Sequence, residues 1–395
     1  MTERQKNVLA ALTGILVSLA LAELFVSLFY SNDIRVMGDT IRLRTNLVQE
    51  IHNRQGIPGL DPVIVHRKNS LGFRGPDPPA DLPDRYRILT VGGSTTESYY
   101  ISDGKTWPDL VAAGLNQKFA DRIWLNNAGL DGHSTFGHLI LLRDYVLRDI
   151  QPELQHTVPN LILFFIGANE VGRRDLRARL MIDPRFQTGE DIDWAILLKS
   201  LLFKVADHSD LVSLGINLFR GYRDRHMGLA HQPVDVTRAP RGPEIGPEQQ
   251  RRYIARHEEY LAPLRERLAH LLTLTRRQGI QPVFMTQPAL FGCGKDPLTG
   301  VDLGSMAQGG INGCLKWRVL DAYNDAVREF GSRQRVPVID LARELPHSSE
   351  YFYDNYHFNT AGTRRVADIV LTQLAPLVAD GLRKNPAAVS GGGTP

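Results

Sequence analysis

A chain of 395 residues, 43% apolar and 23% charged, is long enough to bury a large core and has an ordinary globular composition. Its 46 basic and 43 acidic residues leave a formal charge of only +3, so composition makes no case for nucleic-acid binding. Two cysteines are too few for a structural zinc cluster.

Residues 1–7 carry Arg4 and Lys6 against Glu3 and read as a cytoplasmic tip. Residues 8–30 form an apolar run broken by one acid, Glu23, long enough to cross a membrane as a helix. The basic flank is expected to stay in the cytoplasm, which places the remainder outside it, periplasmic or extracellular. Ala20-Leu21-Ala22 offers a rival reading as a signal-peptide cleavage site. Leu24–Tyr30 continues apolar, which suits an uncleaved anchor better. Either reading exports the rest of the chain.

Residues 31–84 read as a juxtamembrane stalk and lead-in, ending in the proline-rich GPDPPADLPD. From 85 to 382 strand and helix patterns alternate. Strands are expected at Arg87–Val91, Arg122–Asn126, Leu161–Ile166, Gln281–Thr286 and Val336–Leu341. Helices are expected at Thr106–Ala120, Thr135–Ile150, Glu248–Gln278, Leu315–Phe330 and Thr360–Leu382. The run LILFFI, Leu161–Ile166, has no polar face and predicts a strand buried on both sides. The alternation predicts a parallel sheet covered by helices on both faces. Residues 173–247 break the rhythm and read as an insertion at the sheet's loop face: a lid, a membrane-interface patch or a plain excursion. Residues 383–395, with GGG, read as a disordered tail. In an exported protein, Cys293 and Cys314 are expected to pair and close one Gly-rich loop.

Open parallel sheets bind ligands beyond the carboxyl ends of their strands. Gly92-Gly93-Ser94 follows the first predicted strand. Asn127 to His133 follows the second, Gly167 to Glu170 the third, and Thr286-Gln287 the fourth. Tyr353-Asp354-Asn355-Tyr356-His357 precedes the last helix. Each piece alone is weak. Ser94-Thr95-Thr96-Glu97 fits a helix capping box. A phosphate-binding loop would need a lysine that VGGSTTES lacks.

Taken together, VGGSTT, NNAGLDGHST, IGANE and DNYHFNTAG closely resemble the blocks of the SGNH hydrolase superfamily, the GDSL-type esterases and lipases. The resemblance runs from about residue 85 to 382. It implies a three-layer α/β sandwich with a five-stranded parallel sheet in flavodoxin-like order 2-1-3-4-5. It implies Ser94 as nucleophile, His357 as base and Asp354 as its orienting acid. The Ser94 and Gly132 amides and the Asn169 side chain would form an oxyanion hole. No metal or organic cofactor is implied. Two positions depart from the family pattern: Gly93 stands where aspartate is usual, and Glu170 where aspartate is commoner. The run HRKNSLGFRG, His66–Gly75, resembles the lead-in of membrane-anchored bacterial members. His133, Thr286 and Gln287 are candidate substrate contacts. If Ser94 is a nucleophile, its hydroxyl faces His357, and Thr95 or backbone and water satisfy the helix start.

The expected function is an exported, membrane-tethered carboxylic-ester hydrolase acting on an O-acylated, above all O-acetylated, envelope glycan. Its expected partners are that ester substrate and, through the N-terminal helix, the membrane. Acyl transfer to a sugar hydroxyl, lipid-ester hydrolysis (suggested by the apolar Trp194–Val205) and a non-catalytic glycan-binding role are the rivals.

Overall fold

The computed structural model describes residues 2–29, 36–37, 40–41, 43–173, 205–206, 208–226 and 231–384. The first residues of the stalk (31–35), nearly all of the apolar Trp194–Val205 stretch, and the tail from 385 lie outside the described residues.

Five parallel strands form the central sheet: β1 (Tyr86–Val91), β2 (Ile123–Asn127), β3 (Leu161–Ile166), β4 (Gln281–Thr286) and β5 (Val338–Ile339). Their spatial order is 2-1-3-4-5. The all-apolar β3 is explained by its central place. Leu161, Leu163 and Phe165 enter one core, and Ile162, Phe164 and Ile166 the other. Strand side chains alternate faces, so a strand covered on both sides needs apolar residues at every position.

Helices supply the outer layers. Under one face lie α3 (Trp107–Phe119) and α8 (Thr360–Lys384), through Val111, Leu115, Val366 and Val370. Under the other lie α4 (Thr135–Ile140), α6 (Pro247–Arg277) and α7 (Gly313–Gln334), through Leu139, Leu268 and Tyr323. The expected α/β sandwich is therefore present, with the helices and strands close to their predicted places. The last strand is shorter than predicted. Pro337 offers no N–H to a ladder, and Asp340 is drawn aside by Thr286 and Arg328.

The stalk reading of 31–84 is corrected for its second half. Leu47–His52 and Val63–Lys68 pair as an antiparallel hairpin. Leu71 and Phe73 then enter the core beside Trp124 and Tyr145. Arg74 and Asn127 exchange backbone hydrogen bonds at 3.0 and 2.8 Å. Polar residues hid this role, because the buried face of Val63–Lys68 alternates as Ile64, His66 and Lys68, only one of which is apolar.

Helix α1 (Glu3–Phe29) is long and apolar enough to cross a membrane, and its most apolar window is not buried against the protein. Its one interrupting acid has a defined task. Glu23 accepts hydrogen bonds from Ser209 Oγ and the Asp210 amide, both at 2.6 Å, and so caps helix α5 (Asp210–His226).

Cys293 and Cys314 form a disulfide across 21 residues of sequence. Closing a loop of that length removes unfolded-state entropy worth about 3 kcal/mol. Replacing both cysteines with serine should lower unfolding stability by about that amount in urea titration. The Ser94 turn should keep its fold, because neither cysteine contributes to it.

Candidate active site

The Ser94 turn is built from backbone rather than from its own side chain. Gly93 is the N-cap of the four-residue helix α2 (Ser94–Glu97). Its carbonyl accepts from the Thr96 and Glu97 amides, both at 3.0 Å. No side chain caps this helix start, so the capping-box reading of Ser94 does not hold. Glu97 is also reassigned. Its buried carboxylate pairs with Lys68 Nζ at 3.2 Å and accepts from the Asp131 amide at 2.7 Å.

The far end of the turn is accounted for carbonyl by carbonyl. Trp107 Nε1 donates to the Thr95 carbonyl at 3.0 Å and Asn127 Nδ2 to Thr96 at 2.7 Å. Arg74 Nη1 donates to the Glu97 and Ser98 carbonyls at 2.9 and 2.6 Å. Helix ends leave such carbonyls without internal partners, and buried ones need them. Arg74 is only 1% exposed, so the lead-in motif holds the Ser94 turn from below.

The loop before α8 brings the other groups. Asp354 Oδ1 accepts from the Tyr356 and His357 amides at 2.8 and 2.7 Å. Those bonds fix the carboxylate so that Oδ2 lies 2.6 Å from His357 Nδ1. His357 Nε2 lies 2.7 Å from Ser94 Oγ. With Asp354 ionised, Nδ1 carries the proton and Nε2 accepts from the serine hydroxyl. Burial alone would push the His357 imidazole below its ordinary value. The Asp354 charge and hydrogen bond outweigh it, with help from Asp131, and hold it above 6.5.

Polar groups also gather beside Gly93. Gly132 sits at φ +71°, a left-handed conformation that favours glycine. Among the described residues, no group accepts a hydrogen bond from the Ser94 or Gly132 amide. Asn169 follows β3, with Nδ2 donating to the His133 carbonyl at 2.9 Å. The turn bearing Asn169 is clamped by Glu170, which pairs with the buried Arg267 at 2.7 Å and binds Thr135 at the start of α4. The departure at position 93 has a steric consequence. A Cβ there would stand 2.5 Å from Asn169 Nδ2 and 3.1 Å from the His133 carbonyl.

The GDSL-like lipase/acylhydrolase family model matches residues 90–365, well over half of the chain. The chain belongs to this family. That makes it an ester-bond hydrolase by family. No curated protein matches it. Similar solved structures include an alpha/beta hydrolase enzyme from the metagenome of Lake Arreo, Spain, and an acetylxylan esterase from Geobacillus stearothermophilus. Each is 14% identical at a TM-score of 0.39, with 73% of this chain and 94% of that chain covered. A member of the lipolytic protein G-D-S-L family from Veillonella parvula is 14% identical at a TM-score of 0.34, covering 72% and 96%.

In this GDSL-family hydrolase the remaining candidates divide. The His133 carbonyl orients Asn169, while its ring packs against Gly137. Thr286 is fully buried and its hydroxyl is committed to Asp340 at 2.8 Å and the Ala342 amide at 3.0 Å. It has no edge to offer a substrate. Gln287 is also buried and serves the scaffold, accepting from Thr95 Oγ1 at 3.3 Å and donating to the Pro288 carbonyl.

One residue at the site escaped sequence reading. His231, in the insertion, lies face to face with His357 at a centroid distance of 3.9 Å. Nothing in AHQP marks it; only a contact across 126 residues of chain reveals it. His231, Asp354 and His357 place potential metal-ligand atoms within 4.8 Å of one another. A metal there would compete with the Asp354–His357–Ser94 hydrogen bonds, since both His357 nitrogens are engaged.

Gly93→Ala should displace Asn169 without unfolding the protein, because the crowded atom ends a side chain that can move. If Asn169 serves the ester oxygen, turnover of 4-nitrophenyl acetate should fall by roughly 10- to 100-fold, less than for complete loss of such a donor. The melting temperature should stay near that of the parent.

Proposed function

We propose that the protein is a serine esterase, tethered to the membrane by α1, that deacylates an O-acylated envelope glycan outside the cytoplasm. The hydrogen-bonded run Asp354–His357–Ser94 carries this reading. Ser94 Oγ attacks the ester carbonyl carbon while His357 Nε2 takes its proton. The carbonyl oxygen becomes an oxyanion, received by the Ser94 and Gly132 amides and Asn169 Nδ2. Each such donor is worth about 100- to 1000-fold in rate. The imidazolium then protonates the departing alkoxide, leaving an acyl-serine. Water, deprotonated by His357, attacks that ester; the Ser94 Oγ–acyl bond breaks, His357 returns the proton to Oγ, and the carboxylic acid leaves.

Location supports the substrate class. The flank bearing Arg4 and Lys6 suits the cytoplasmic side, and the Cys293–Cys314 disulfide suits an oxidising compartment. A hydrolase held there by α1 meets envelope polymers.

The full chain in detergent micelles should hydrolyse 4-nitrophenyl acetate, and Ser94→Ala should abolish this and labelling by a fluorophosphonate. Equal rates in parent and variant would sink the reading. An acetylated oligosaccharide panel tests the substrate class, and transfer of acetyl to added sugar would identify an acyltransferase instead.

The pH profile has a defined sign. Protonated His357 cannot take the Ser94 proton, so kcat/KM should rise with pH through the raised imidazole value, with a midpoint above 6.5. Asp354→Asn removes the raising charge. The residual activity, about 10,000-fold weaker, should show a lower midpoint.

A further inference from the structure

We propose that His231 is a positioning residue for His357, supplied by the insertion and held against the imidazole face by Tyr353. The inference rests on His357 acting as the base for Ser94.

His357 is held at both nitrogens, but those two bonds act in the plane of the ring. They leave tilting of the plane and solvent approach to its faces to other groups. His231 covers one face, with 26° between the ring planes. Its own orientation is set by a 2.6 Å hydrogen bond between Nδ1 and Tyr353 Oη. Tyr100 meets His231 edge-on at 5.1 Å. The backbone following His231 is tied to the same loop: the Val234 amide donates to the Tyr353 carbonyl at 2.9 Å. Val236, two residues further, is buried in the core beneath. The stacked ring is therefore mounted at two points on the loop that carries Asp354 and His357.

Protonation states fit the role. Burial, and then the charge of His357, hold the His231 imidazole down at about 4, against the pull of Asp131, Asp354 and Glu97. The Tyr353 phenol is pushed well above 10 by burial, so it stays protonated and donates to Nδ1. Neutral His231 then carries its proton on Nε2. When Ser94 gives up its proton, the new charge on His357 meets a neutral aromatic face rather than a second cation. An aromatic face under a cation favours the charged state, by an amount equivalent to roughly 3- to 30-fold in rate.

The test is steady-state hydrolysis of 4-nitrophenyl acetate by the full chain in detergent micelles. His231→Ala should lower kcat about 3- to 30-fold with KM changed less than twofold. His231→Phe keeps the stacked face and should recover most of that loss. Tyr353→Phe keeps the ring but removes the hydrogen bond, and should fall between the two. Complete fluorophosphonate labelling of each variant reports a folded Ser94 site. Should His231→Ala fail to fold, the phenylalanine variants still decide. Parental kcat in His231→Ala, a loss confined to KM, or His231→Phe no better than alanine would overturn the proposal. Activity surviving in Ser94→Ala would instead overturn the reading on which it rests.

Discussion

Arg74 under the Ser94 turn is the constraint on which the site depends. A helix of four residues has no internal stability, and its carbonyls end in a buried space. Arg74, Asn127 and Trp107 take up the carbonyls from Thr95 to Ser98, and Gly93 takes up the amides at the start. The Ser94 hydroxyl is therefore not needed as a cap and can face His357. Removing water from a guanidinium is costly, so burying Arg74 makes sense only because a cluster of oxygens receives it. Burial draws its ionisation downward, and Asp109, Asp103 and Glu97 counter that pull.

The same logic extends outward in buried charge pairs. Glu97 and Lys68 join the Ser94 turn to the lead-in hairpin and, through the Asp131 amide, to the Gly132 loop. Glu170 and Arg267 join the Asn169 turn to α4 and α6. Such pairs are weak evidence of net stability, but each group has several partners in defined directions, and that sets loop geometry. Both chemical departures from the family pattern fit this frame. Gly93 yields space to Asn169, and Glu170 reaches Arg267 and Thr135.

The insertion contacts both the apolar helix and the site. Residues 209–211 bind Glu23 of the apolar helix, and His231 stacks on His357. The segment thus touches the last turns of the N-terminal helix through its middle and the site through His231. Glu23, an anomaly in an apolar run, is explained by the amide and hydroxyl donors it receives from this segment.

The sequence by itself determined the sheet, the family and the groups around Ser94, because these follow from local pattern. An apolar run with no polar face must lie between two layers, as LILFFI does. Chemistry placed after successive strands must gather at one rim, as Ser94, Gly132 and Asn169 do. Only the tertiary structure decided what caps the Ser94 helix, what a side chain at position 93 would crowd, where Glu97 and Thr286 point, and that His231 reaches the site. These depend on contacts between residues far apart in the chain. Such contacts have no period and no spacing, so a local reading assigns Glu97 to a capping box and passes over Arg74 and His231.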